Sequence, residues 1–476
     1  MKSSFWTQAY LLKVIFIGSV IFFLYPIFHY APHFTGTDIG SWGPDWQKFR
    51  QCKQLGFNQC VPLEISKFPL GYLLNSYLLY LLKGVDQKQG LLIINLVFLS
   101  LPIFFISLTR GFFYSFRVSN IYILVILLTA IPPFYLYSGA LEFQSGVVIG
   151  IFISSCLLLL QKRGNKKWLI FFLLITSFLL PTYKDTNAPL ILISFVLSFS
   201  LLALFSWLNK KLNIRTNSNL TFEWYNLSKK IFIISLGLIC ISLALGLLYN
   251  NIKFGSIKPI HYLYEASQTS PSVLYSLKFL MFTYLSPNGG IIIFWFASIF
   301  FLFLALYLFK IKPSQLGLLM SAILIFLSSL GLSLWWTPFG WDSWGDRLII
   351  PAMVSAVICI LSTARLNLSA GVLGNLNGPL SFENIQNTPK PWISLRLLLV
   401  MMIPLLFSLH YTIIAYYSNR EKLIEKSLFP VDQCTKMLGD LKTTGSVIGQ
   451  AFWRTSSYYN CADERFLFFP RYIRPK

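Results

Sequence analysis

The chain contains long apolar stretches without a single charged residue, and these stretches restrict the folds that it can adopt. Gly90 to Thr109 is one of them, and it has roughly the 20 residues needed to cross the hydrocarbon of a bilayer. Every backbone polar group in lipid must be paired internally, so such stretches predict membrane-spanning α-helices. The short alternating segments of a β-barrel are not evident. The predicted fold class is therefore an all-α polytopic membrane protein.

Composition and charge favour lipid over nucleic acid as the partner of this chain. Hydrophobic residues make up 55% of it and charged residues only 12%, whereas about a quarter of a soluble domain is charged. The net charge of +22 would suggest nucleic acid in a soluble protein. Here the basic residues flank apolar runs, where they meet anionic head groups. We expect membrane lipid as a partner and no nucleic acid, because no RNA or DNA motif accompanies the charge.

Eleven apolar runs are candidate transmembrane helices. They cover approximately residues 11–28, 90–109, 119–138, 143–161, 168–182, 189–207, 231–249, 289–309, 317–334, 348–365 and 396–417. The first is interpreted as a retained helix, because no small-residue cleavage site follows it. Residues 1–417 are predicted to form one transmembrane domain, and residues 418–476 a short tail. The apolar part of the first outer loop, residues 68–82, predicts one or two interfacial helices.

The short loops between the runs predict the orientation of the chain. With the N-terminus in the cytoplasm, most basic loop residues lie inside, as the positive-inside rule requires. They are Arg110, Arg117, Lys162, Arg163, Lys166, Lys167, Lys210, Lys211, Arg215, Lys229, Lys230, Lys310 and Lys312. The segments that then lie outside cover residues 29–89, 250–287, 335–347 and 418–476. The expected location is the plasma membrane, or the inner membrane of a bacterium.

The cysteines agree with this orientation. Cys52 and Cys60 share the first outer segment, and Cys434 and Cys461 share the tail. Disulfides persist on the oxidising side of a membrane, so these four are possible disulfide partners whose connectivity the sequence leaves open. The others fall inside predicted spans, where we expect packing residues: Cys156, Cys240 and Cys359.

Five places on the predicted outer face carry residues suited to chemistry: residues 36–46, 67–74, 132–142, 182–186 and 335–347. Asp38 follows the first span, where a carboxylate can act as a general base toward an acceptor hydroxyl. A turn residue on a wet surface explains Asp38 as well. Glu142 lies in a very short outer turn, and there a functional role and a structural ion pair fit equally. The Pro and Gly of residues 67–74 by themselves indicate a helix start.

Two basic residues are candidates for binding a phosphate. Lys184 either neutralises its neighbour Asp185 or faces the phosphate as a point charge. Arg347 begins an apolar span after a segment with four tryptophans, which fit an interfacial aromatic belt. A guanidinium at that depth can hold a phosphate in a bidentate way. The sequence has no paired His and Cys ligands for zinc, no phosphate-binding Walker loop and no dinucleotide glycine pattern.

The order of these motifs resembles that of the GT-C class of membrane glycosyltransferases, which includes the dolichyl-phosphate-mannose protein mannosyltransferases and their bacterial relatives. The matching features are Asp38, residues 67–71 (KFPLG), 132–142 (PPFYLYSGALE), 183–185 (YKD), 285–290 (LSPNGG) and 340–347 (GWDSWGDR), followed by Pro351. They extend over residues 30–355, and the last two are the more specific. Many members carry an acidic pair in the first loop, whereas Ile39 follows Asp38. Asp45 is therefore a rival for the role of Asp38.

The resemblance implies inverting transfer of a sugar from a polyprenyl-phosphate donor to an acceptor hydroxyl on the non-cytoplasmic face. It implies Asp38 as the base, and Arg347 with Lys184 as the groups that bind the donor phosphate. Glu142 or Asp185 would orient the sugar or assist the base, and Asp346 and His261 are further supporting candidates. The spans around Arg347 would hold the prenyl chain. The acceptor is a glycan, lipid or protein, no cofactor is obligatory, and a divalent metal is left open.

The alternative is a transporter or flippase of lipid-linked glycans without covalent chemistry. Such a protein is expected to carry ionisable residues near mid-span and broken helices in repeated halves. In this sequence the candidate charges gather toward one face, which favours the enzyme. A glycan polymerase or ligase shares the lipid-linked substrate, but would use a diphosphate-linked glycan and a larger outer loop.

Overall fold

Eight helices and a small ribbon make up the part of the chain described by the structure, a computed structural model. This part covers residues 69–82, 85, 87–110, 140–161, 163–184, 186–211, 229–257, 311–335 and 349–366, with isolated residues between 276 and 306. The helices are α1 (Pro69–Leu81), α2 (Gln87–Arg110), α3 (Ala140–Leu160), α4 (Lys166–Tyr183), α5 (Asn187–Lys211), α6 (Lys229–Phe254), α7 (Gln315–Trp335) and α8 (Ile350–Thr363). Strands β1 (Ile311–Lys312) and β2 (Arg365–Leu366) pair antiparallel.

Five of these helices are long and apolar enough to cross a membrane: α3, α4, α5, α6 and α7. Two shorter apolar helical segments accompany them, Ile93–Thr109 within α2 and Ile350–Thr363. Apart from the ribbon and short turns, the described residues are helical, and their five long apolar helices agree with the predicted all-α membrane fold. The predicted spans at 11–28, 119–138 and 396–417 lie outside the described residues. The prediction of eleven spans stays a prediction, as does the interfacial position of α1.

Local sequence explains where α4 and α8 begin. The Asn165 side chain accepts a hydrogen bond from the backbone N–H of Lys167 at 3.1 Å, which caps the first turn of α4. Before it, Gly164 has a φ of 84° and turns the chain back from α3. The Asn165 N–H also donates to the carbonyl oxygen of Thr109 at 2.5 Å, which ties this turn to the end of α2. Pro351 lies in the first turn of α8, where its missing N–H has no cost.

Helix α3 is the centre of the bundle. Of its apolar window, 89% is buried, against 22% for α6. It packs against α2 and α4 on one side and against α8 on the other, and α8 in turn packs against α7. The core therefore surrounds α3, whereas α5 and α6 present much of their surface outward, where lipid would cover it.

Two glycines one turn apart let α8 approach α3 closely. A Cβ added to Gly146 would lie 2.7 Å from Val354 Cβ, and one added to Gly150 would lie 2.8 Å from Ile358 Cβ. Glycines spaced four apart are a common device for close helix packing in membranes. Residue numbers increase in the same direction along both helices, from the pair Gly146 and Val354 to the pair Gly150 and Ile358, so α3 and α8 run parallel. The N-termini of both helices consequently lie at the same end of the bundle.

The two ends of the bundle differ in chemistry. At one end, which we call the basic end, the C-termini of α2, α3 and α8 lie beside the N-termini of α4 and α7. A 3.2 Å hydrogen bond from Gln161 to Ser314 connects the end of α3 to the start of α7 there. The chain there carries Arg110, Arg163, Lys166, Lys167, Lys312 and Arg365. The opposite end, which we call the polar end, carries amides, hydroxyls and the first turn of α3. Except for Arg365, these basic residues are among those predicted to share one side of the membrane, and they lie at one end of the bundle.

The predicted packing role of the cysteines is confirmed at one position and is wrong at another. Cys359 is buried in α8, and its thiol lies 3.8 Å from the Gly317 carbonyl oxygen. Cys240, in contrast, is exposed on α6. The reason is that most of α6 faces outward, so an apolar residue in this span is not necessarily in the core.

Candidate functional site

Three segments that the sequence singled out meet at the polar end. Gly71 belongs to the first, and a Cβ added to it would lie 2.8 Å from the Thr182 carbonyl oxygen and 3.4 Å from a methyl group of Leu141. Leu141 precedes Glu142 in the second segment, and Thr182 begins the third. The absence of a side chain at position 71 is what allows the start of α1 to touch the start of α3 and the end of α4 at once. Segments far apart in sequence therefore share one small region.

A buried cluster of amides lies beneath this meeting point. The Asn75 amide donates to Gln144 Oε1 at 2.9 Å, and Gln144 Nε2 donates back to Asn75 Oδ1 at 2.8 Å and to Asn95 Oδ1 at 3.0 Å. The Asn75 amide also donates to the Gly71 carbonyl oxygen at 2.8 Å. All three side chains have no solvent exposure. Because a buried polar group is stable only when it is paired, this cluster fixes α1, α2 and α3 relative to one another.

A second set of hydrogen bonds fixes the start of α5. The Asn187 amide donates to Ser145 Oγ at 2.8 Å and to the Leu180 carbonyl oxygen at 3.2 Å. The Asn187 N–H donates to the Lys184 carbonyl oxygen at 3.1 Å, which closes the turn between α4 and α5. Pro181 lies one residue after Leu180 and is accommodated inside α4. The turn that carries Lys184 is thus attached to α3, the most buried helix.

Tyr183 combines burial with an unpartnered hydroxyl. Its side chain is 2% exposed, and its ring makes an edge contact with Phe98 at a centroid distance of 6.0 Å. Its hydroxyl oxygen has no hydrogen-bond partner among the residues that the structure describes. A buried hydroxyl without a partner costs free energy, and such groups in native proteins call for an explanation. Tyr183 is therefore a candidate for contact with a bound molecule.

Two predicted site residues lie at the polar end within the described part of the chain. Glu142 is half-buried in the first turn of α3, where the positive end of the helix dipole stabilises a carboxylate. Lys184 is half-buried and ends α4 with an extended backbone, φ −165° and ψ 128°. An acid and a base that lie 42 positions apart in the sequence consequently share one end of the bundle.

Helix α8 also begins at this end. The Pro351 carbonyl oxygen lies 3.0 Å from the position of an added Gly146 Cβ, only one helical turn beyond Glu142. Ile349, the residue before α8, is fully buried. Arg347 lies two positions before Ile349 in the sequence and is outside the described residues.

The remaining predicted site residues also lie outside the described residues: Asp38, Asp45, Asp185, His261, Asp346 and the four outer cysteines Cys52, Cys60, Cys434 and Cys461. Their assigned roles stay predictions. Among the residues that are described, no three side chains of His, Cys, Asp or Glu are grouped closely enough to hold a metal ion.

Sequence reasoning missed the amide cluster and Asn187, and it gave Tyr183 no role of its own although residues 182–186 were singled out. A signal for the amides was present, because each interrupts an otherwise apolar helix: Asn75 in α1, Asn95 in α2 and Gln144 in α3. An uncompensated amide in hydrocarbon is costly, so each predicts a partner on a neighbouring helix. Which amides pair is decided by helix packing, which no local pattern reveals.

The chain was compared with models of protein families, with curated proteins and with solved structures, and none of the three comparisons gives a match.

Proposed function

We propose that this protein is a glycosyltransferase that moves a sugar from a polyprenyl-phosphate donor to an acceptor hydroxyl at the polar end of the bundle. The observation that carries the proposal is the convergence of the segments around Gly71, Glu142 and Lys184 at that end. Helix starts and ends from three parts of the chain supply an acid, a base and buried hydrogen-bonding groups there. An interface between polar groups and apolar helices suits a donor with a charged head and a hydrocarbon tail.

The proposed reaction uses one base and two residues that bind the phosphate. The acceptor oxygen attacks the anomeric carbon, and Asp38, or its rival Asp45, takes the proton of the acceptor hydroxyl. The bond between the anomeric carbon and the phosphate oxygen breaks, and the polyprenyl phosphate leaves with the bonding electrons. Lys184 and Arg347 stabilise the charge that grows on this leaving group. Glu142, in the first turn of α3, orients the hydroxyls of the sugar.

The proposal includes a side of the membrane. The basic end carries the residues that the positive-inside rule assigns to the cytoplasm, and the polar end is opposite. On the proposed topology, sugar transfer occurs outside the cytoplasm, where nucleotide sugars are scarce and lipid-linked donors serve instead.

The experiment that tests the proposal is transfer by the full-length protein in proteoliposomes. Radiolabelled polyprenyl-phosphate sugars are offered one at a time with a mixture of membrane lipid and glycan acceptors, and covalent products are separated. We expect the native protein to form a labelled product. This product should be lost in the double variant Asp38→Asn, Asp45→Asn and in the single variant Arg347→Ala. Lys167→Ala, at the basic end, is the matched control and keeps full transfer.

Two outcomes would overturn the proposal. In the first, the doubly substituted Asp38→Asn, Asp45→Asn protein transfers sugar as well as the native chain does. In the second, labelled lipid crosses the bilayer without any covalent product, which would instead indicate a flippase.

A further inference from the structure

A groove of about 800 Å³ lies between α5 and α6. Helices α5 and α6 barely touch each other, although both pack on the rest of the bundle, α6 against α4 and α5 against α7. Residues of α3 and α4, among them Phe152 and Leu180, form the floor of the groove. Its walls run from Ala188 to Ala203 on α5 and from Ile233 to Ile239 on α6. Its volume lies in the range of roughly 300–1,000 Å³ that is typical of ligand sites.

The dimensions and the lining of the groove suit one hydrocarbon chain. At 1.5 Å per residue, the wall of α5 from Ala188 to Ala203 is about 22 Å long, against about 30 Å for the hydrocarbon of a bilayer. Almost all of the lining is aliphatic or aromatic, with hydroxyls only at Ser200 and Ser235. A long and narrow apolar groove of this kind fits a single extended chain.

The groove is accessible from the surface of the bundle that faces lipid. Three of its apolar side chains are largely exposed: Leu192 by 45%, Val196 by 62% and Ile233 by 66%. A chain can therefore enter sideways from the bilayer and does not have to thread through the protein.

One end of the groove lies at the candidate site. Leu180 and Ala188 line the groove, and Asn187, next to Ala188, donates to the Leu180 carbonyl oxygen. The turn that these residues close carries Lys184. The groove also reaches Leu160, which ends α3 at the basic end. A chain whose head group lies at the polar end would meet the cationic side chain of Lys184, which suits a phosphate.

We infer that the groove between α5 and α6 holds the prenyl chain of a polyprenyl phosphate whose phosphate lies at Lys184. The identification of the bound hydrocarbon as a prenyl chain rests on the proposed function, whereas the presence of the groove does not. A single groove selects a lipid with one chain over bilayer phospholipids, which carry two. The inferred position differs from the spans around Arg347, where the sequence placed the prenyl chain. Helix α8, which follows Arg347 in the sequence, is buried along almost its whole length.

The test is photo-crosslinking with a polyprenyl phosphate that carries a diazirine near the middle of its chain. The full-length protein is labelled in phospholipid nanodiscs, and the crosslinked peptides are identified by mass spectrometry. The expected labels lie on the groove-facing residues of α5 and α6. An excess of unlabelled polyprenyl phosphate removes them, whereas extra phospholipid does not.

Tryptophan substitutions give the matched comparison. Ala203→Trp and Ser200→Trp fill the groove from exposed positions, where a large side chain is tolerated. Each is expected to lower groove labelling by about tenfold or more, the loss that blocked burial of a few methylene groups would cause. Ala244→Trp, at an exposed position of α6 away from the groove, keeps native labelling.

The inference would be overturned if labelling persists in both tryptophan variants, or if unlabelled polyprenyl phosphate does not displace it. Either result would indicate that bulk lipid occupies the groove. The labelling experiment tests the groove independently of the sugar-transfer reaction. Groove labelling without sugar transfer would reject the proposed function alone, and sugar transfer without groove labelling would reject the groove alone.

Discussion

The carboxamides of Asn75 and Gln144 face each other and exchange two hydrogen bonds, of 2.9 and 2.8 Å. The pair joins α1, which comes before the predicted second span, to α3 at the centre of the bundle. Gln144 also donates to Asn95 on α2, so a single side chain holds three helices.

The first prediction concerns this amide cluster. Gln144→Leu is expected to lower the free energy of unfolding by about 1–3 kcal/mol, because it removes the three buried hydrogen bonds that Gln144 makes with Asn75 and Asn95. Thermal unfolding of the protein in detergent, followed by tryptophan fluorescence, measures the loss. Gln161→Leu, directly after the end of the same helix, is the control. It removes one longer, partly buried hydrogen bond, and the cost should be at most about 1 kcal/mol. Equal losses at the two positions would contradict this account.

The second prediction concerns the contact between α3 and α8. Gly146→Ala is expected to destabilise the protein by about 1–3 kcal/mol, since the added methyl group would overlap Val354. Gly237→Ala on α6 is the matched substitution, because a Cβ there meets nothing within 4 Å. It should be neutral or stabilise by up to about 1 kcal/mol through better helix propensity. Thermal unfolding of the two variants side by side tests the difference, and a Gly146→Ala protein as stable as native would show that the helices are farther apart.

The third prediction separates the ring of Tyr183 from its hydroxyl. Tyr183→Phe keeps the edge contact with Phe98 and removes an oxygen that has no partner in the described part of the chain, so the unfolding temperature should stay the same or rise. Tyr183→Ala also removes the buried ring and should cost about 3–5 kcal/mol. If the hydroxyl binds substrate, Tyr183→Phe will lower sugar transfer while stability is kept. A clear loss of stability in Tyr183→Phe would mean that the hydroxyl is paired in the folded protein.

The fourth prediction concerns donor binding by Lys184. Lys184→Ala is expected to raise the KM for the polyprenyl-phosphate sugar by about tenfold, because a phosphate loses one charge-assisted hydrogen bond. Lys184→Arg should recover most of the affinity, since the positive charge is restored. Steady-state transfer rates over a range of donor concentrations give both kcat and KM. An unchanged KM in Lys184→Ala would remove this residue from the donor site.

The sequence predicts the helices better than it predicts the site. In hydrocarbon the backbone polar groups must be paired internally, which a helix achieves. A long apolar run such as Ala140–Leu160 is visible in the local sequence alone and therefore predicts a helix. The charges of Glu142 and Lys184 could be assigned to one face because loops alternate between the two sides of a membrane. That alternation, together with short turns, was enough to bring them to one end.

The groove and the amide cluster could not be predicted in this way. Whether α5 and α6 touch depends on how each packs on α4 and α7, which are contacts over long sequence distances. The partner of Gln144 similarly depends on which helices surround α3. Cys240 shows the same limit, because its burial depends on neighbours that the apolar pattern of α6 does not specify.

The parallel contact between α3 and α8 has a consequence for how the protein enters its membrane. Helix α8 has 14 residues and is about 21 Å long, well short of the hydrocarbon thickness. It is synthesised some two hundred residues after α3, and it approaches α3 most closely at Gly146 and Gly150. During biogenesis α3 would therefore wait in the bilayer with its glycine face uncovered. The late arrival of α8 completes the bundle, and a ribosome that stalls before residue 350 would release a chain with that face open to other helices or to membrane quality control.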